Sequence, residues 1–233
     1  MKKLSLLCLS FLLTAILFAQ DSMPKQLFTS GLRVGGNYSN MIFGNGFDYS
    51  SVNPKIGFNA GAVLRIDFIY NPFEIELGLL YSRKGAKVEG QNYSLQGYTD
   101  VFTLSRNYQL NYIDFPLVLN ITTSNKRKWQ LYAGGGIMLS MGSKGKIKDT
   151  YTSEFYELDF KSSVIWDDSP DADFFEGDLS YIGQIGFRVS KTLEFNASIS
   201  QSLLNIDPNN DFVKNSTISI SAIRTINRKF VGR

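Results

Sequence analysis

The chain has 233 residues, and its 24 Lys+Arg against 21 Asp+Glu leave a formal net charge of +3, too small to argue for nucleic acid as a partner. At 43% hydrophobic and 19% charged residues it can bury a core and is not a disordered chain. It has no His and a single Cys, Cys8, which excludes His-dependent triads, zinc sites built on His and Cys, and a cysteine nucleophile.

Lys2 and Lys3 precede an apolar run from Leu4 to Phe18, which closes on the small residue Ala19. A basic start, a short apolar stretch and a small residue at a cleavage position predict a secretory signal peptide over 1–19, leaving a mature domain over 20–233. The competing reading is an N-terminal anchor, but the run falls short of a full span of about 20 residues. Cys8 lies inside the apolar run and leaves with it. The mature chain is then exported without any disulfide, so packing and hydrogen bonds must hold it together.

From there the chain alternates with period two, and a helical period fits none of its segments. Strands are expected over 28–41, 56–68, 73–84, 108–121, 129–141, 179–189, 193–203 and 217–226. In the second, Phe58, Ala60, Ala62, Leu64, Ile66 and Phe68 share one face, and Gly57, Asn59, Gly61, Val63, Arg65 and Asp67 the other. In the third, Phe73, Ile75, Leu77, Leu79 and Tyr81 oppose Glu74, Glu76, Gly78, Leu80 and Ser82. The joins alternate in length. Residues 69–72, 122–128 and 190–192 make short turns; 42–55, 85–107, 142–178 and 204–216 make long loops. Short turns on one side and long loops on the other describe an up-and-down barrel in an outer membrane, with both termini on the periplasmic side.

Alternation does not say which face is inside, and a soluble barrel would bury the apolar one. Three features favour the inverted, membrane arrangement. The polar faces are rich in small residues, as a narrow eight-stranded interior requires. They carry charges of both signs: Arg33, Arg65 and Arg188 against Asp67, Glu74, Glu76, Asp114 and Glu194. The strands are also long enough for a tilted crossing of about 9–11 residues. Phe68, Phe73, Trp129 and Tyr181 stand near strand ends, where interfacial aromatic girdles form. The fold class is therefore all-β, an eight-stranded antiparallel transmembrane barrel.

Several stretches then become familiar. Gly31-Leu32-Arg33-Val34-Gly35-Gly36-Asn37-Tyr38-Ser39-Asn40 resembles the opening "GLKGGxNxSN" strand of the PorT-like outer-membrane β-barrel family of Bacteroidetes. Glu76-Leu77-Gly78-Leu79-Leu80-Tyr81-Ser82-Arg83-Lys84-Gly85-Ala86 is similar to its "ELLYSxKGA" strand. Asn111-Tyr112-Ile113-Asp114-Phe115-Pro116-Leu117-Val118-Leu119 resembles "LNYLEIPLLLK", and Tyr132-Ala133-Gly134-Gly135-Gly136 resembles "xAGPxxG". The motifs follow in the family's order across nearly the whole mature chain. The resemblance implies an eight-stranded outer-membrane barrel of that phylum. Family members usually finish on an aromatic residue, whereas Phe230 is followed here by Val231-Gly232-Arg233. The namesake serves type IX secretion, but that subgroup's own pattern is not seen and the role is not carried over.

The charged set Arg33, Arg65, Asp67, Glu74, Glu76, Asp114, Arg188 and Glu194 reads either as an ion path or as a salt-bridge network filling the lumen. The network is expected, because eight strands leave no continuous channel and buried charges persist only when paired. Acyl chemistry of the kind membrane barrels of this size perform uses His, and there is none, so no catalysis and no cofactor are expected. Asp167, Asp168, Asp171 and Asp173 in the third long loop read as a calcium or partner site or as a solvated acidic surface. The loop's many aromatics predict that part of it packs over the barrel mouth. Gly134-Gly135-Gly136 sits mid-strand with no helix after it, so close packing and not a phosphate cradle is expected. The basic turn Lys126-Arg127-Lys128 would face the periplasm, at the level of lipid phosphates.

The function expected is a structural or surface-binding outer-membrane barrel, monomeric, in contact with membrane lipid and open to a protein partner through its outer loops. Two other readings stay open: a soluble periplasmic barrel carrying a small apolar ligand, and an accessory subunit of a secretion or uptake complex.

Overall fold

The computed structural model describes residues 26–44, 49–68, 72–94, 101–123, 129–167, 172–207 and 212–231. The signal segment expected over 1–19, the turn residues Lys126, Arg127 and Lys128, and Asp168 and Asp171 of the acidic loop lie outside them. The described residues form β1 (Gln26–Phe43), β2 (Tyr49–Phe68), β3 (Phe73–Lys84), β4 (Ala86–Ser94), β5 (Val101–Thr122), β6 (Gln130–Thr152), β7 (Glu157–Ser163), β8 (Gly177–Arg188), β9 (Leu193–Ser202) and β10 (Val213–Val231). Eight of them close a ring in the order β1-β2-β3-β5-β6-β8-β9-β10, with β10 returning to β1, and every pairing is antiparallel. Closure leaves no open sheet edge within the ring, which is the condition for strands to cross a bilayer.

The ring matches the eight expected strands, but their lengths do not stop where expected. The loop placed over 85–107 contains all of β4 and the first residues of β5. That over 142–178 contains the upper half of β6 and β7, which pairs with β6 alone as an outlying hairpin. β3 and β4 are one ring strand broken at Gly85: both pair with β2 and with β5. A side chain at Gly85 would place its Cβ 2.1 Å from the Tyr108 carbonyl oxygen, and its φ of 156° also disfavours one. The buried Ser39 hydroxyl mends the gap, accepting from the Gly85 N–H at 2.9 Å and donating to the Gly85 carbonyl at 3.0 Å.

Which face points inward decides between membrane and soluble barrels. Glu74, Glu76, Leu80 and Ser82 of β3 are buried, whereas Phe73, Leu79 and Tyr81 are exposed. Outward apolar side chains such as Leu119 (52% exposed) and Ile220 (69%) coat the ring. The polar faces are therefore inside and the apolar faces outside, the reverse of a soluble barrel.

Beyond the band the pattern changes sign. Ala86, Val88, Tyr108, Leu110, Tyr112, Ile147 and Val213 point inward and are buried, while Lys87, Lys144 and Lys146 face solvent. The walls of one barrel thus carry an apolar exterior in their lower part and an apolar interior in their upper part. The upper part behaves as a water-soluble barrel, which requires its apolar residues inside.

Candidate functional site

The lumen is filled in three layers. Lowest is a set of charges from five strands. Arg33 of β1 bonds Glu76 of β3 at 2.6 Å. Arg65 of β2 donates to Glu76 at 2.8 Å, approaches Glu74 at 3.4 Å and holds Glu194 of β9 in a bidentate pair. Arg188 of β8 reaches Glu194 at 3.0 Å and also pairs with Glu74. Three guanidinium groups thus face three carboxylates. Arg65 is 2% exposed and Glu76 fully buried, so each charge depends on its partners in place of water.

Neutral groups add further contacts to these charges. The Tyr132 hydroxyl donates to Glu194 at 2.5 Å, and its ring lies beside Arg65 and Arg188 at 5.7 and 5.0 Å. Asn120 donates to Glu74 at 3.1 Å, and Gln184 donates to Asn120 at 2.9 Å. Glycines let the strands approach here: a Cβ on Gly136 would lie 2.0 Å from the Leu117 carbonyl, and one on Gly134 2.1 Å from the Asn120 amide oxygen. Of the run Gly134-Gly135-Gly136, the first and third serve close packing, while a Cβ on the exposed Gly135 would meet only the Ile182 carbonyl oxygen at 3.6 Å.

The middle layer is built around one ion pair. Lys84 donates to Asp114 at 2.9 Å and to Ser140 at 3.3 Å, with its ammonium 4.9 Å from the Tyr112 ring centroid. Beside it lies a cavity of about 30 Å³, room for about one water, walled on one side by Ser198, Ser200, Thr217, Ser219 and Ser221. Asp178, expected in the outer loop, is instead buried at the start of β8, where Ser202 donates to it at 2.6 Å and Asn215 at 3.3 Å.

The top layer is apolar. Tyr108, Leu110, Tyr112, Met41, Val213 and Ile206 form its wall, and the third long loop drops onto them. Trp166 meets Tyr112 edge-on at 5.3 Å, and Phe174 meets Tyr108 at 5.8 Å. The loop backbone is tied down as well: the Phe175 N–H bonds the Ile206 carbonyl at 2.8 Å. Trp166 and Phe174 thus plug this mouth of the barrel, whereas Phe155, Tyr156 and Phe160 of the same segment stay exposed.

Of the charged set read from the sequence, Arg33, Arg65, Glu74, Glu76, Arg188 and Glu194 come together. Asp114 lies one layer higher with Lys84, and Asp67 is half-buried and makes no ion pair among the described residues. Sequence reasoning missed Lys84, Tyr132, Gln184 and Asn120. Parity would have found Lys84, because it lies on the same strand face as Glu74 and Glu76. Of the acidic loop residues, Asp167 is exposed, while Asp173 accepts from the Ile165 N–H at 2.8 Å and so fixes the loop's own backbone. At the rim, the Asp149 carboxylate holds the Arg106 guanidinium above its ordinary value through a hydrogen bond.

A profile of the outer membrane protein beta-barrel domain family matches residues 18–207. Among solved structures, Ail, the attachment invasion locus protein of Yersinia pestis, is 17% identical, with 88% of this chain and 100% of that chain covered at a TM-score of 0.39. Neisserial surface protein A is 10% identical, covering 84% of this chain and 97% of its own at a TM-score of 0.42. OprG of Pseudomonas aeruginosa is 10% identical, covering 92% and 99% at a TM-score of 0.35. No curated protein matches the chain. Likenesses of this order say nothing about role.

Proposed function

We propose that this chain, which belongs to the outer membrane protein beta-barrel domain family, is a closed barrel that conducts no solutes and works through its outer face and loops, as a structural or surface-binding protein. The observation that carries this reading is the mutually neutralised lumen network beneath an apolar plug. A channel needs a continuous wetted path, and an eight-stranded ring is narrow enough for side chains to fill. The purified protein in planar bilayers is expected to show no stable conductance. Reproducible steps of nanosiemens size would overturn the reading.

Absence of catalysis belongs to the same proposal. The chain has no His, and among the described lumen carboxylates Glu74, Glu76 and Glu194 are taken up by arginines, Asp114 by Lys84, and Asp178 by hydrogen bonds from Ser202 and Asn215. The motifs beginning at Gly31 and Glu76 support a place among the PorT-like barrels of Bacteroidetes. The run from Leu4 to Phe18 supports export through a cleaved signal peptide. The polar inward faces weigh against a soluble carrier, whose ligand would need an apolar lumen at the level of the ring. An accessory role in a secretion or uptake complex would use the outer loops, including Asp167 and Asp173, and pull-down from intact outer membranes in mild detergent would test it.

Orientation follows from strand alternation. In a closed antiparallel barrel all long loops share one side, which this reading assigns to the cell exterior. An epitope tag inserted after Asp168 is expected to be labelled on intact cells, and one after Asn125 only after permeabilisation. Labelling of the Asn125 tag on intact cells would reverse the orientation.

A further inference from the structure

The outer wall of β3, β5 and β6 changes character along a single register row. Tyr81, Ile113 and Met141 are cross-strand partners and close the apolar band. The next outward row is Arg83, Asn111 and Lys144, also direct partners. Above it Gln109 pairs with Lys146, and then Asn107 lies between Lys87 and Lys148. The same side of β5 thus carries three amides between flanking cations: Asn111 is buried, Gln109 is partly exposed, and the Asn107 amide oxygen accepts from Lys55.

Two kinds of cation stand in these rows. Lys87 and Lys148 already have carboxylates, Glu89 at 2.8 Å and Asp159 at 2.9 Å. Arg83, Lys144 and Lys146 have none among the described residues; Arg83 reaches only the Asn111 amide oxygen, at 3.4 Å, and the face of Phe58, 5.3 Å from its ring centroid. The unpaired cations are the ones nearest the apolar band. Lys144 and Lys146 are exposed.

Resting on the closed outer-membrane reading above, the geometry points to this face as a binding site for a phosphorylated, acylated sugar lipid of the outer leaflet. Acyl chains lie against Ile113 and Met141, where the wall is apolar. The phosphate then falls at the height of Arg83, Lys144 and Lys146, which supply a planar fork and two point charges. The partly exposed amide of Gln109 is placed to bond the sugar, while the buried Asn111 amide holds Arg83. A soluble anion would gain nothing from the apolar rows directly beneath, and that contact is what favours a lipid.

The test uses the full mature protein in phosphatidylcholine nanodiscs containing lipid A, with native mass spectrometry counting bound lipid. The triple variant Arg83→Gln/Lys144→Gln/Lys146→Gln is expected to bind about 100-fold more weakly, since each cation near an anionic surface contributes a factor of several. Dephosphorylated lipid A should bind wild type as weakly as lipid A binds the variant. Equal binding by variant and wild type would overturn the site, as would a soluble sulfated sugar that displaces lipid A at comparable concentration. Heat-modifiable migration on gels reports whether the variant folds. If it does not, lipid A binding to wild type measured over a series of salt concentrations decides: binding should fall as salt rises, and salt-independent binding overturns the proposal. A protein that conducts ions yet loses lipid A through these substitutions would overturn the closed-lumen reading alone.

Discussion

Replacing Arg65 with methionine is expected to cost the barrel about 3–5 kcal/mol, measured as urea unfolding in lipid vesicles. Arg65 touches Glu74, Glu76 and Glu194, and among the described residues no other cation reaches all three. Without it, Arg33 and Arg188 remain against three buried carboxylates, and one negative charge is left uncompensated. The size of the loss is the desolvation of that charge and not the worth of the pair. The double variant Arg65→Met/Glu194→Gln leaves two direct pairs in place, Arg33 with Glu76 and Arg188 with Glu74. It should recover much of the loss, because replacing a buried pair by groups of similar volume is often near neutral. An Arg65→Met barrel as stable as wild type would mean that water reaches the lower lumen.

A cation on the opposite wall tests the inverted packing. Leu77 lies mid-strand on β3, flanked on the outward face by its partners Leu64 and Leu117. Leu77→Arg should destabilise the barrel by about 2–4 kcal/mol in bilayers, the range for a cation near the midplane. Phe155 is 73% exposed between β6 and β7, beyond the band, and Phe155→Arg should change stability by less than about 0.5 kcal/mol. The same charge is added in both, so the difference reads depth alone. Equal effects of the two substitutions would place the band elsewhere.

Both experiments bear on features that period two exposes. Strands β3 and β9 begin where alternation places them, and Glu74, Glu76 and Glu194 lie on the faces that parity assigns. The ring of eight follows from the count of alternating segments and the rhythm of short and long joins. These are local properties: a strand's side chains alternate whatever it pairs with, and a short polar turn forces antiparallel neighbours.

The limits of each strand were hidden by the change of solvent along it. Above the band, Ala86, Val88, Tyr108 and Leu110 keep the alternation, but apolar residues now point in and lysines out. The bulge between Asn111 and Tyr112, opposite Gly142, shifts the register across that boundary, and Gly85 interrupts the neighbouring strand. A reading that follows one apolar face therefore ends the strand at the membrane surface and assigns the rest to loop.

The sequence by itself determined the class of fold, the number of crossing strands and the residue types each face would carry, because backbone geometry fixes these within a few residues of one another. Which glutamate meets which arginine, and that Asp178 is buried while Asp67 pairs with no cation among the described residues, were decided only when the ring closed. Closure brings Arg65 to Glu194 across 129 positions of chain. No local pattern encodes that register; it is set by the sum of pairings around the barrel. The aromatic plug has the same origin, since Trp166 and Phe174 find Tyr112 and Tyr108 only once a mouth exists to be filled.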